Sequence, residues 1–295
     1  MILVVGGTGM VGSEICRILI EKGVPIRAMV RETAEAKKVE QLKKLGADVV
    51  FGDLRDQGTF NEALRDINAV ITTISSMPFS YVPGENDIES VDREGMKNFI
   101  DFAGKAGVAH FIYTSFSGQL DLDFPLRNAK RDVEEHLKKS GMNYSILRPS
   151  CFMEVWLSPA VGFDYPNDKA QLCGDGSKTV SYISYLDVAK FAAECLENPA
   201  AVNKTLELGG PEKISQLDAV KIFEEIGNTK IEVSIIPEEA LDAQRASAED
   251  PMQRSFSGLM LCVAQGDPID MEKTLSDFPI KMTSVREYAE NVLKP

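Results

Sequence analysis

The stretch Met1-Ile2-Leu3-Val4-Val5-Gly6-Gly7-Thr8-Gly9-Met10-Val11-Gly12 decides the fold. Ile2 to Val5 is a short apolar, β-branched run that stops in glycines at 6, 7, 9 and 12, and a helical pattern follows from Val11 to Glu21. Strand, glycine turn and helix, in that order, give a glycine motif the context of a phosphate-binding site. Gly6 lets the chain turn tightly off the strand, and Gly9 removes a side chain where a diphosphate must touch backbone. Gly12 lets the helix pack close to the sheet. The unpaired N–H groups of the first helical turn then face an anion, reinforced by the helix dipole. The spacing satisfies G-x-x-G-x-x-G at 6, 9 and 12 and G-x-G-x-x-G at 7, 9 and 12. No Gly-Lys-Ser/Thr follows, which excludes a nucleoside-triphosphate P-loop.

Outward from this unit the chain keeps alternating. Strands are expected at Pro25–Val30, Asp48–Phe51, Ala69–Ile74, His110–Thr114 and Tyr144–Leu147, the last stopped by Pro149. Helices are expected at Thr33–Leu45, Gln57–Arg65, Ile88–Lys105 and Asn128–Ser140, with a loop at Ser75–Asn86 marked by Pro78, Pro83 and Gly84. Alternating strands and helices with right-handed crossovers give a Rossmann-type, doubly wound parallel sheet in an α/β protein. Beyond Pro149 the rhythm changes. The expectation is a nucleotide-binding body over 1–149 to which 183–208 returns, and a smaller C-terminal α/β lobe on the substrate side from 150–182 and 209–295.

Composition narrows the classes. At 295 residues with 44% hydrophobic and 26% charged residues, the chain has an ordinary globular make-up. A net charge of −13 argues against direct binding of nucleic acid or of an anionic membrane. Five cysteines without a C-x-x-C pair read as reduced thiols of a cytoplasmic protein, and no signal peptide or membrane-length apolar run is visible. His110 and His136 have no metal-ligand spacing around them, so no metal is expected.

Candidate site residues fall at the expected strand ends. The second strand ends at Arg31, with Lys37 and Lys38 in the next helix. A guanidinium there suits the extra phosphate of NADP, where an acidic residue would accept the ribose hydroxyls of NAD, so NADP(H) is favoured over NAD(H). Asp53 after the third strand is placed to accept from the adenine amino group while Leu54 covers a ring face; a turn or cap role is the bland alternative. Thr72 to Ser76, including Ser75 and Ser76, follow the fourth strand and would lie over the diphosphate and nicotinamide ribose. Ser115 follows the fifth strand, where its hydroxyl can reach a substrate carbonyl or satisfy local backbone. Lys130, early in a helix, can bind the nicotinamide ribose and supply positive charge or a proton to a carbonyl under reduction. Phe152, Met153 and Trp156, with Phe163 and Tyr165, can roof a flat apolar substrate or can be plain core.

Gly6 to Gly12, Arg31, Asp53-Leu54, Ser75-Ser76 and the run Lys130-Arg131-Asp132-Val133-Glu134 through Arg148-Pro149 fall in an order that resembles the NmrA-like group of atypical short-chain dehydrogenases, with its isoflavone-reductase-like and quinone-reductase-like members. The resemblance implies a Rossmann domain with a small C-terminal lobe, NADP(H) as ligand held by Gly6, Thr8, Gly9, Met10, Val11 and Gly12, and Lys130 as the active-site lysine. One departure matters: most short-chain dehydrogenases carry Tyr-x-x-x-Lys, and Leu126 stands where that tyrosine would be. Isoflavone-reductase-like members manage without it, and other NmrA-like proteins are redox-sensing regulators. Two functions follow as expectations: an NADPH-dependent oxidoreductase acting on a small planar carbonyl, quinone or enone, or a non-catalytic NADP(H)-binding sensor, regulator or assembly factor. The expected partners are a small-molecule substrate and, for a regulator, another protein; the chain would be a monomer or homodimer.

Overall fold

The computed structural model describes residues 1–77 and 87–294. Most of the loop expected at 75–86 therefore lies outside the described residues. Among the described residues there are twelve strands: β1 (Ile2–Val5), β2 (Ile26–Val30), β3 (Asp48–Phe51), β4 (Ala69–Thr72), β5 (His110–Thr114), β6 (Asn143–Pro149), β7 (Phe163–Asp164), β8 (Lys169–Cys173), β9 (Thr179–Val180), β10 (Lys204–Leu208), β11 (Ile214–Ser215) and β12 (Glu232–Ile236). Seven of them form one sheet in the order β10-β6-β5-β4-β1-β2-β3, and the pairings from β3 across to β6 are parallel. This is the expected doubly wound sheet. The strand order reverses between β1 and β4, so the chain leaves these neighbours toward opposite faces and opens a crevice at their carboxyl ends. The register sets Val5 beside Met29 and Thr72, and Thr72 beside Tyr113.

The chain divides into two compact units. The first comprises Met1–Ser115, Asn128–Leu147 and Val188–Leu206. Its early helices are α1 (Met10–Glu21), α2 (Ala36–Leu45), α3 (Phe60–Leu64) and α4 (Glu94–Lys105). α1 buries Val11, Gly12, Ile15, Cys16 and Leu19, the stripe of a helix lying on a sheet. α2 starts three residues after the expected Thr33, because Ala34 N–H first closes a turn onto Arg31 O at 3.0 Å. The expected helix at Ile88 begins as a π-helix over Ile88–Arg93 and becomes α-helical only at Glu94. One face of the sheet is filled by Phe60, Phe99, Phe111 and Tyr113, with Phe60 edge-on to Phe99 at 5.0 Å and to Phe102 at 5.3 Å. Such pairs add about 0.5–1.5 kcal/mol each beyond their area.

The second unit comprises Phe116–Arg127, Arg148–Asp187 and Glu207–Pro295. It holds a three-stranded sheet ordered β12-β8-β7, a two-stranded β9–β11 ladder, and helices that include Gln216–Gly227, Pro251–Gln265 and Val285–Val292. Phe116–Arg127 groups here although it precedes the boundary expected at 149, and its ties explain why. Leu126 N–H donates to Ser255 Oγ at 3.0 Å, and a Cβ on Gly258 would sit 2.5 Å from Phe124. The fully buried Asp267 accepts from Ser117 Oγ and from Ser150 Oγ, each at 2.6 Å. α5 (Pro125–Lys138) starts in this segment, three residues before the expected Asn128, with proline at its first helical position, where no N–H is needed. No helix among the described residues is long and apolar enough to cross a membrane.

Candidate functional site

The first βα turn is built around close backbone approach. Gly6 has φ +87°, and a Cβ on Gly12 would lie 2.1 Å from Gly6 O, so the helix can meet the turn only with glycine there. Gly9 differs. The nearest atom to a Cβ on it is Gly6 O at 3.2 Å, and the residue is exposed. The protein leaves open ground beside it, which is what a ligand lying on backbone requires. Gly9 caps α1 without a side-chain hydrogen bond, and the first turn carries no acidic residue. The N–H groups of Met10, Val11 and Gly12 therefore find no acceptor among the described residues. A groove of about 700 Å³ continues from Thr8 and Gly9 along Ser13 and Arg17 to Lys38 and Leu42 of α2.

β2 carries two arginines with opposite fates. Arg27 is buried and spent: its Nε pairs with Asp48 at 2.7 Å, and its Nη1 donates to Arg65 O at 2.7 Å and Glu62 O at 3.2 Å past the end of α3. Arg31, half-buried at the strand's end, makes no ion pair among the described residues. Lys37 is exposed, while Lys38 reaches Glu35 at 3.6 Å. The Asp53 carboxylate faces Arg55, with Nη2 at 2.6 Å and Nε at 2.9 Å. That guanidinium, with a smaller contribution from Arg31, holds its carboxyl below the usual range. Leu54 is buried in the core with Phe60 and Met96, so it offers no open ring-stacking face; a Cβ on Gly95 would already meet it at 3.0 Å.

Lys130 lies at the centre of a buried polar cluster. Its ammonium donates to Ile74 O, just past β4, at 2.8 Å, and lies 3.3 Å from Asp92 Oδ1. The Tyr113 ring centroid is 5.2 Å from the ammonium, a cation–π contact. The lysine side chain is 4% exposed and the Asp92 side chain 0%. Asp92 Oδ2 accepts from Ser76 N–H at 3.0 Å and, in a short hydrogen bond, from Ser76 Oγ. Ser76 is thus fully buried with its hydroxyl on Asp92; Ser75 is half-buried, and its Oγ accepts from Met77 N–H at 3.3 Å. Ser115 Oγ accepts from Arg131 at 3.3 Å, and Arg131 also pairs with the buried Glu134 at 2.8 Å.

Three polar atoms here have no hydrogen-bond partner among the described residues: Asp92 Oδ1, Tyr113 OH and Thr114 Oγ1. Burial, then the negative charges of Asp92 and Glu134, push the Tyr113 hydroxyl well above its ordinary range. It keeps its proton, and its full burial prevents it from replacing the tyrosine that Leu126 lacks. Leu126 itself is buried in the second unit. In that unit Phe152 and Trp156 are half-buried, but Met153 has no exposed surface and is core. Phe163 and Tyr165 pack on Phe223 with ring centroids 4.9 and 5.3 Å away. Burial pushes the Cys151 thiol well up, which leaves it inert.

Asp92 was not among the residues expected from sequence, and a signal for it exists. Ile88, Asp92, Met96 and Phe99 share one helical stripe, so a carboxylate occupies a core-facing position. Lys130 and Glu134 interrupt the stripe of Leu126, Ala129, Val133 and Leu137 in the same way.

With this geometry in hand, the chain matches the NmrA-like family over residues 1–289. It belongs to that family. Among NmrA-like relatives, an NAD(P)H azoreductase from Xenophilus azovorans is 30% identical over 218 residues, covering 73% of this chain and 70% of that protein. A photosystem II assembly factor, Ycf39 of Trieres chinensis, is 29% identical over 241 residues, 80% of this chain and 72% of its own. The structure of an NADPH-dependent quinone oxidoreductase from Escherichia coli, complexed with NADPH, superposes over 100% of both chains with a TM-score of 0.80 at 22% identity. That likeness is one of fold.

Proposed function

We propose that this NmrA-like protein binds NADP(H) on the first βα turn and reduces a small planar quinone, enone, azo compound or carbonyl. The observation that carries the reading is the Lys130 ammonium, buried at the carboxyl end of β4 in the same unit as an uncapped glycine turn. The free N–H groups of Met10, Val11 and Gly12 would hold the diphosphate, and Arg31, the strand-end arginine left unspent, the extra phosphate of NADP. Lys37 would add a mobile charge beside it. Asp53 would serve the adenine only by giving up part of its bond to Arg55. Bound NADPH supplies a hydride. Lys130 has three donors, of which Ile74 O engages one, and its charge faces Asp92 at 3.3 Å; a remaining donor would meet the nicotinamide ribose or the acceptor, whose developing negative charge the ammonium stabilises. Ser115, its oxygen engaged by Arg131, keeps its own proton to donate. The azoreductase relative supports a reductase reading, and the fully buried thiols suit a cytoplasmic protein, monomeric or dimeric.

A second reading, an NADP(H)-binding sensor or assembly partner, draws on Leu126 and on the assembly-factor relative. Titration with NADPH and NADH, followed by NADPH oxidation against a panel of quinones, enones and azo dyes, separates the two. The enzyme reading expects NADPH to bind more tightly than NADH and Arg31→Ala to narrow that gap about tenfold or more. It also expects Lys130→Ala to lower turnover by about 10²-fold or more. Unchanged cofactor preference in Arg31→Ala overturns the assignment of Arg31. Tight binding without turnover across the panel selects the sensor.

A further inference from the structure

Asp92 belongs to no recognised motif of the chain, and the sheet topology gives it no role by itself. Its surroundings do. It is the sixth residue after Asn86 and sits inside the π-helix Ile88–Arg93, a rare element frequent at functional sites. One carboxylate oxygen takes both the backbone N–H and the hydroxyl of Ser76, from the loop after β4. The other faces Lys130 Nζ at 3.3 Å and has no aligned hydrogen bond. The lysine is anchored a second time, at 2.8 Å, on Ile74 O of that same loop. Three segments distant in sequence thus meet at one buried carboxylate, and among the described residues the ammonium keeps a donor unspent. A carboxylate with no exposed surface is costly unless a cation stays beside it. Asp92 needs Lys130 as much as Lys130 needs Asp92.

We infer that Asp92 is a positioning residue: it fixes the Lys130 ammonium against the loop after β4 and so sets where the lysine's remaining donor points in the nicotinamide region of the site. The inference rests on the NADP(H) reading for its consequence, but the clamp itself is a property of the ligand-free protein. Asp92→Asn tests it, because the amide keeps the volume and an acceptor for Ser76 while removing the charge that faces Lys130. NADPH dissociation constants and quinone-dependent oxidation are measured for Asp92→Asn alone and in a Lys130→Met background, alongside thermal melting. The clamp expects affinity and turnover each to fall about tenfold in the single variant, and less than about twofold when Lys130 is already gone. Equal effects in both backgrounds overturn it, since a merely structural role would not depend on the lysine.

A second measurement needs no cofactor. In the ligand-free protein, trinitrobenzenesulfonate labelling of Lys130 is followed by mass spectrometry with the exposed Lys37 as internal reference. Labelling of Lys130 relative to Lys37 is expected to be about tenfold faster in Asp92→Asn. Equal labelling overturns the clamp. If the wild type binds no NADPH while labelling still responds to Asp92→Asn, the functional reading falls and the clamp stands.

Discussion

Two buried aspartates, one in each unit, are served by serine hydroxyls and end in different conditions. Asp267 gives one oxygen to Ser117 and the other to Ser150, each at 2.6 Å, and its backbone N–H and carbonyl are taken by Thr179 and Ser181. No cation is needed to close that network; burial pushes its carboxyl upward and the two serines partly restrain it. Asp92 receives both Ser76 bonds on one oxygen and leaves the other to a lysine at ion-pair distance, among hydroxyls of Tyr113 and Thr114 that find no partner among the described residues. A satisfied network fixes a fold. One with open valences around a buried cation carries a cost that ligand binding can offset, and that separates candidate chemistry from structural polarity.

The largest test of this contrast is Asp267→Ala. It removes the acceptor of two buried hydroxyl protons, each at roughly 1–3 kcal/mol, so unfolding free energy should fall by about 3 kcal/mol. Urea melts with an unchanged slope would report it. NADPH affinity should stay within about twofold, and a loss matching that of Asp92→Asn would erase the distinction between the two aspartates. Tyr113→Phe should act the other way. Removing a buried, unpartnered hydroxyl leaves stability unchanged or raised by up to about 1 kcal/mol, with the ring still beneath Lys130; marked destabilisation would mean that Tyr113 OH has a partner in solution.

The smallest effect concerns His110, another closed network. Ser145 Oγ donates to Ala201 O at 2.7 Å and so accepts from His110 Nε2 at 2.9 Å. Burial lowers the imidazole below its ordinary 6.5. The folded state therefore binds fewer protons than the unfolded one, and this contribution to stability is whole above pH 6.5 and declines as pH falls through the folded value. Melting temperatures from pH 7.5 downward should drop less in His110→Gln than in the wild type; parallel curves would contradict the shift.

Much of this was legible in the sequence because period and glycine carry it. Alternating apolar runs place β1 to β6, and the backbone collision awaiting a Cβ at Gly12 leaves a visible letter. Arg31 is legible as a strand-end cation, although only the structure separates it from the spent Arg27. Asp92 was hidden because Asp92-Arg93-Glu94 looks like an exposed charged turn. Its burial comes from helical phase and from partners at positions 76 and 130, which no local window contains. Leu54, Ser76 and Met153 show the converse: residue types that suit ligand contact also suit core packing and local hydrogen bonding, and all three are buried.

The π-helix at Ile88–Arg93 has a consequence for how this chain tolerates insertion and deletion. At its end Glu94 N–H reaches back five residues, to Glu89 O, where an α-helix reaches four. The segment thus holds one residue more than a regular helix of the same length would need. Deleting that residue would restore ordinary winding, the change a helix absorbs most readily, yet it would turn everything upstream by about 100° relative to α4. Asp92 would leave Lys130 while the hydrophobic pattern of Met96, Phe99 and Ile100 stayed in phase. In such a descendant the fold would persist and the clamp would not, so the reading frame of this one turn records whether a member of the lineage retains it.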